Sequence, residues 1–303
     1  TSGIVTVTHA IIITGTLAEV TAALVETAKL VVVSDAKATI SDAAGTDIDA
    51  TDLSAIGAKT GGVVTVTNAI DISGDHDEVK AALVTASSKV VAATATVTIS
   101  GTLSTATHTS TLGSVAAATS GKVTATVSGT AAVVDDIGTT SATDTITITV
   151  SDAITVAQGD TIVNGTDVST VIFTTGISDT LANLVNANNA TNASTTGIIQ
   201  KDPDITITVS DNVGTAESAI NQAKIDSLNS MRLSTSGSVI ATLFGNIAMI
   251  KNLSNGKIGN YTYNVLDAAN SSDMQDIDAK TNITTYQMTG GFSDSSENIF
   301  DTN

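Results

Sequence analysis

At 303 residues, with 30 acidic against 12 basic side chains and a formal net charge of −18, the chain presents a field that repels nucleic acid and anionic membrane surfaces. It has no cysteine, which excludes disulfides, thiol catalysis and cysteine-held zinc. No apolar run approaches the length of a membrane-spanning helix, so membrane insertion is not expected either.

From its first residues the chain repeats with a period of 59. Gly3-Ile4-Val5-Thr6-Val7-Thr8 returns as Gly62-Val63-Val64-Thr65-Val66-Thr67, and Glu19-Val20-Thr21-Ala22-Ala23-Leu24 returns as Glu78-Val79-Lys80-Ala81-Ala82-Leu83. A third copy opens at Ser120-Gly121-Lys122-Val123-Thr124 and drifts out of register. The chain opens at Thr1 on a repeat boundary, as a mature form or a piece of something longer would. A fixed period without gaps points to units stacked or strung along an axis, which is architecture rather than an active site.

Within a unit the hydrophobic period changes in a fixed order. Val64, Val66, Ile70 and Ile72 alternate with Thr65, Thr67, Ala69 and Asp71, the signature of a strand with one buried face. Thr16 followed by Glu19, and Asp75 followed by Glu78, are capping boxes that open short Ala- and Leu-containing helices. A second strand is expected at about 94–100, and a second helix at about 110–118 with its counterpart at 51–59. The unit therefore reads β-α-β-α, with parallel strands and crossover helices, in solenoid-like or bead-like array. An all-β array with long loops is the competing reading.

Later, Thr145-Ile146-Thr147-Ile148-Thr149-Val150-Ser151-Asp152 echoes in Ile205–Asp211, and helices are expected near 178–188 and 215–231. Past residue 232 the composition turns to Asn, Met, Tyr and Phe with no visible period. The chain is thus read as tandem repeats over 1–130, a divergent β-rich region with short helices over 131–231, and a non-repeating cap or assembly region over 232–303. All seven aromatic residues lie after residue 172, so the earlier part must build its core from Val, Ile, Leu and Ala. Thin, regular layers suit such side chains, whereas a deep ligand pocket normally recruits aromatic walls.

The densest acidic cluster is Asp42, Asp47, Asp49 and Asp52, with Gly45 among them. Several carboxylates around a turn are what calcium coordination requires, so these four are the candidate metal ligands. Alternatively they form a solvated turn whose Asp residues cap the following helix. Asp71, Asp75 and Asp77 form a second, smaller cluster in which Asp75 already caps a helix. The histidines His9, His76 and His108 align with Asn68, Leu17 and Asp49 in other copies and are read as solvent-facing. No triad, phosphate loop or zinc-protease motif stands out from the Ser, Thr and Asp background, so no catalytic residue, cofactor or enzyme activity is expected.

The Thr-x-Thr doublets at Thr6, Thr65, Thr124, Thr147 and Thr206 would make an ice-binding surface if they lay in register on one plane. Strand solubility is the plainer reason for them.

In Val64-Thr65-Val66-Thr67-Asn68-Ala69-Ile70, Ile72-Ser73-Gly74, Glu78–Leu83 and Ala50–Gly57, the chain resembles the repeat regions of large secreted bacterial cell-surface proteins. These are cysteine-free, Thr-, Ala-, Val- and Asp-rich proteins of cyanobacterial type, including S-layer-like proteins and giant adhesins. The resemblance covers about residues 1–160 and implies an extracellular structural role at the cell surface, often with calcium. The glycine-aspartate nonapeptides that carry calcium in some of those proteins are absent here.

The expectation is a structural protein that partners with itself to form a surface layer, sheath or filament. Near absence of proline leaves its strand edges unblocked for this. The alternative is an adhesin or phage-fibre module whose C-terminal region, around Tyr261, Tyr263 and Tyr286, holds a cell-surface glycan.

Overall fold

The structure is a computed structural model that describes residues 5–7, 9, 11–26, 31–165, 169–186, 190–216, 218–253, 259–279, 283–288 and 290. Contacts divide the chain into two compact units, residues 1–149 with 164–170 and residues 150–163 with 171–303. Both units are α/β. Among the described residues their strands pair parallel, no sheet closes into a barrel, and helices carry the chain from one strand to the next, as parallel pairing requires.

In the first unit, Val5–Val7 pairs with Val31–Val33, and a four-stranded sheet runs Ile12–Gly15, Lys37–Ile40, Val64–Val66, Val90–Val91. A further sheet runs Asp47–Asp49, Asp71–Gly74, Thr96–Leu103, Val123–Gly129, Thr145–Val150. Registers advance evenly along the chain. Ile12 pairs with Lys37, Ala38 with Val64 and Val64 with Val90, which are steps of 25, 26 and 26 in the numbering. Ile48 pairs with Ile72, Ile72 with Val97 and Val97 with Val123, steps of 24, 25 and 26. These last four side chains are at most 2% exposed, so each step adds one aliphatic layer to a continuous core.

The sequence period of 59 is not this structural step. A shift of 59 carries Ile12–Gly15 onto Asp71–Gly74, and Lys37–Ile40 onto Thr96–Ile99, which lie in a different sheet. Each sequence copy thus spans two pairing steps plus the short advance from one sheet to the next.

Helices fall where expected, but the single strand read through Val64, Val66, Ile70 and Ile72 is two strands, Val64–Val66 and Asp71–Gly74, in different sheets. The helices Leu17–Leu24 and His76–Leu83 each start with both reciprocal bonds of the capping box, at Thr16/Glu19 and Asp75/Glu78. Ala50–Lys59 and Ala106–Ala118 are the second helices of their copies. The neighbouring helices of the first unit pack in sequence order and cover the strands with Leu53, Val79, Leu112 and Val134, all buried.

The second unit holds a sheet of Ile177–Asp179, Ile207–Val209, Val239–Gly245, Gly259–Val265 and Ile283–Met288. Here the steps are uneven. Ile177 pairs with Ile207 and Ile207 with Val239, long steps, whereas Val239 pairs with Gly259 and Tyr261 with Ile283, short ones. Helices appear at Leu181–Leu184, Ala193–Lys201 and Gln222–Ser234.

A small motif ties each of three strands to the chain segment before it. In Thr60-Gly61-Gly62, Thr119-Ser120-Gly121 and Thr235-Ser236-Gly237 the threonine is buried and donates its hydroxyl to a backbone oxygen of an earlier segment, that of Ala36, Ala95 and Ile205 respectively. The same hydroxyl accepts the N–H of the glycine two positions on, at 3.1, 3.0 and 2.9 Å. Glycine is required there because an added Cβ would lie 2.4, 2.2 and 2.2 Å from a carbonyl oxygen of the earlier segment.

Two substitutions separate this close approach from generic glycine effects. Gly121→Ala forces a carbon against the Ala95 carbonyl and is expected to cost about 1–3 kcal/mol. Gly197→Ala, in a helix with open space around it, is expected to stabilise by roughly 0.5–1 kcal/mol. Urea midpoints at constant m-value check both signs.

Candidate functional site

The four aspartates expected to gather around a calcium ion are spread along a turn, and each has its own surroundings. Asp42 Oδ2 accepts the N–H of Leu17 at 2.6 Å, the first residue of the helix Leu17–Leu24. Asp49 caps the helix that follows it, accepting Thr51 N–H at 2.9 Å and Thr51 Oγ1 at 2.7 Å, and these two donors hold its carboxyl below the usual range. Asp47 is exposed and pairs in register with Asp71, whose Oδ1 accepts from Thr96 Oγ1 at 2.5 Å. Asp52 is exposed in the first turn of Ala50–Lys59. The structure does not bring the four carboxylates to one point; this turn matches the helix-capping alternative.

Asp42 belongs instead to a recurring arrangement. Asp179 Oδ2 accepts from Val156 N at 3.0 Å, Asp211 Oδ1 from Leu181 N at 2.7 Å and Asp267 Oδ1 from Ile247 N at 3.1 Å. In all four cases the donor is the first residue of a helix and the acceptor belongs to the next chain segment. A carboxylate there satisfies an N–H that the helix itself cannot and sits at the positive end of its dipole. The signal was present in sequence as a strand ending in Ser-Asp: Ile40-Ser41-Asp42, Ile177-Ser178-Asp179 and Val209-Ser210-Asp211.

Among the described residues, acidic and histidine ligand atoms converge at His76, Asp77 and His108, one atom from each lying within 4.8 Å of the others. His76 and Asp77 open the helix His76–Leu83, and His108 sits in the first turn of Ala106–Ala118, which packs against it. Contrary to the expectation of a solvent-facing residue, the His76 side chain is only 7% exposed. Its Nε2 lies 2.6 Å from Thr111 Oγ1 and its Nδ1 lies 3.0 Å from Asp77 Oδ1. The two imidazoles face each other with centroids 4.2 Å apart and planes tilted by 33°. His108 Nδ1 is buried with no hydrogen-bond partner.

Comparing sequence copies one period apart hid this group, because the helix neighbouring His76 comes from the next pairing step and not from the next copy. Aligning the buried helix residues Leu53, Val79 and Leu112 would have placed His76 beside the 106–118 helix.

A groove of about 490 Å³ lies next to the same helix, lined by Ser110, Gly113, Ser114, Gly138, Thr140 and Ser141 among others. It holds hydroxyls and backbone but no titratable side chain, so it offers no acid, base or nucleophile activated by one.

Tyr261 and Tyr263, expected to present a glycan-binding surface, are 0% exposed and fill the core of the second unit. Burial pushes both phenols far above their ordinary range. Tyr286 lies in the strand Ile283–Met288, whereas Phe292 and Phe300 fall outside the described residues. The doublets at Thr124 and Thr147 lie on neighbouring strands of one sheet, whereas those at Thr6 and Thr65 lie in two other sheets of the same unit.

Asp179 gives the inter-segment caps a pH signature. Its burial pushes its carboxyl up, but Asn183 Nδ2, Val156 N–H and Thr180 N–H together outweigh that and hold it below the usual value. A carboxyl lowered in the native state contributes stability above its unfolded value, about 3.9, and loses it as pH falls through the native value. Asp179→Asn is therefore expected to cost about 1–2 kcal/mol at pH 7, the gap to the parent closing as the solution is acidified. Urea unfolding of both proteins from pH 7 down to pH 3 measures it; a gap independent of pH contradicts the assignment. No family model, no curated protein and no solved structure matches this chain.

Proposed function

We propose that the protein is a non-catalytic scaffold: an extracellular structural protein that associates with copies of itself into a surface layer, sheath or filament. In this reading each unit is a short solenoid in which successive strand–helix steps stack on one another. The observation that carries it is the open four-stranded sheet. Its steps are nearly constant, and it ends on Ile12–Gly15 at one edge and Val90–Val91 at the other. Both edges carry apolar side chains facing water, Ile12 at 69% and Val91 at 49% exposure.

Unpaired strand edges are templates for another chain, and proteins that stay monomeric usually blunt them with charge or proline. Two different edges meeting head to tail generate an open array rather than a closed dimer. The aliphatic core and the hydroxyl-lined groove without titratable groups support the same reading. The extracellular setting rests on the resemblance to cell-surface repeats.

Net charge opposes association. At −18, copies repel one another over about 10 Å in 0.1 M salt and about 3 Å in 1 M salt. Assembly is therefore expected to be promoted by salt or by divalent cations such as calcium, which would act by neutralising exposed carboxylates including Asp47 and Asp52.

Negative-stain electron microscopy and light scattering test this at high protein concentration. Ordered filaments or lattices are expected in raised salt or calcium, and the double substitution Ile12→Lys with Val91→Lys is expected to abolish them. Monodisperse particles under every condition, with and without calcium, would overturn the proposal.

A further inference from the structure

The group formed by His76, Asp77 and His108 gathers metal-ligating atoms that the proposed self-association does not use. The hydrogen-bond inventory around His76 determines what can occupy it. Thr111 has a single hydroxyl proton, and its Oγ1 lies 2.6 Å from the carbonyl oxygen of Thr107 and 3.1 Å from that of His108, both acceptors only. With that proton directed to the helix backbone, Thr111 Oγ1 accepts from His76 Nε2–H at 2.6 Å. With Nε2 protonated, a neutral His76 presents a bare lone pair at Nδ1.

That lone pair faces a carboxylate oxygen, Asp77 Oδ1, at 3.0 Å. Two acceptors at this distance repel unless a cation lies between them, either a proton or a metal ion. A proton alone would leave a further buried acceptor or donor, His108 Nδ1, without a partner beside it. A metal ion held by His76, Asp77 and His108 satisfies all three groups at once.

We infer that His76, Asp77 and His108 form a binding site for a divalent transition-metal ion, zinc above all, that clamps the helix His76–Leu83 to the helix Ala106–Ala118. Bonds of about 2.0–2.1 Å to nitrogen and about 2.0–2.2 Å to oxygen at a tetrahedral centre place neighbouring ligand atoms roughly 3.3 Å apart. The 3.0 Å between His76 Nδ1 and Asp77 Oδ1 already fits that spacing, and a ring nitrogen of His108 lies within 4.8 Å of a ligand atom of each. Two imidazoles and one carboxylate select zinc and its neighbours over calcium or magnesium, which take oxygen ligands in larger number.

Thr111 has the part of an outer-shell residue: by accepting from Nε2 it fixes the tautomer that leaves Nδ1 free for the metal. Both helix N-termini oppose a cation, but Asp75, Asp77 and Glu78 add three carboxylates to the same turn and offset them. Asp77 is 85% exposed, so the fourth position is left to water.

Equilibrium dialysis of the intact chain against zinc chloride at pH 7.5, with bound metal read by mass spectrometry, tests the site. One zinc per chain is expected, bound in the micromolar range and not displaced by excess calcium. Asp77→Asn and His108→Ala, both at positions open enough to keep the fold, are expected to lose it, with far-UV circular dichroism confirming that each variant is folded. Thr111→Val is expected to weaken binding about 10–100-fold while both ligands to the ion remain. Substoichiometric zinc on the parent chain, or stoichiometric zinc that survives Asp77→Asn and His108→Ala together, would overturn the assignment.

Discussion

A threonine hydroxyl shared between two successive segments is the contact on which the rest of this architecture depends. Stacking of successive parallel strands brings the loop before one strand directly over the backbone before its neighbour. Carbonyls there point into a dry space and need donors. Thr60, Thr119 and Thr235 supply them, and the glycine two positions later lets the two backbones come close enough for that bond to form. Aspartates at the other end of the strands do the complementary work, taking the first N–H of a helix in the preceding segment. Between these two polar seams only small aliphatic side chains fit, which is why the chain before Phe173 can dispense with aromatics.

Local features were legible in the sequence because their causes are local. The capping boxes at Thr16 and Asp75 depend on residues within one turn and form as read, whereas the alternation from Val64 to Ile72 marks strand residues but not that they divide between two sheets. The long-range step was not legible. A period of 59 dominates the eye, yet Val5 and Val64 occupy different sheets, and the shorter pairing step is masked because successive steps carry different side chains. In the second unit the steps are uneven, so the strands after residue 232 leave no period to find even though they extend the same parallel sheet.

The same logic governs the polar sites. An aspartate cluster in a turn looks like a cation site on spacing alone, but Asp42 and Asp49 are engaged by backbone donors that only the fold reveals. His76 looked interchangeable because its sequence counterpart is Leu17, an apolar residue at the start of an equivalent helix. That substitution was itself a hint, since positions that accept leucine tend to face the interior. Acidic charge is spread over both units, and the self-association proposed above would require it to be screened.

The first unit is assembled from the short pairing step, the one that carries Ala38 to Val64 and Val64 to Val90, and not from the longer copies that its sequence displays. Deleting residues 64–89 removes one such step and joins Val63 to Val90. Val90–Val91 can then take the place of Val64–Val66 beside Lys37–Ile40, and Thr96–Leu103 the place of Asp71–Gly74 beside Asp47–Asp49. Urea unfolding of this shortened chain, followed by far-UV circular dichroism, is the direct measurement. The predicted result is a cooperative transition with a smaller m-value, in proportion to the surface removed. A chain with no cooperative transition, under conditions where the full-length protein shows one, would contradict this assembly.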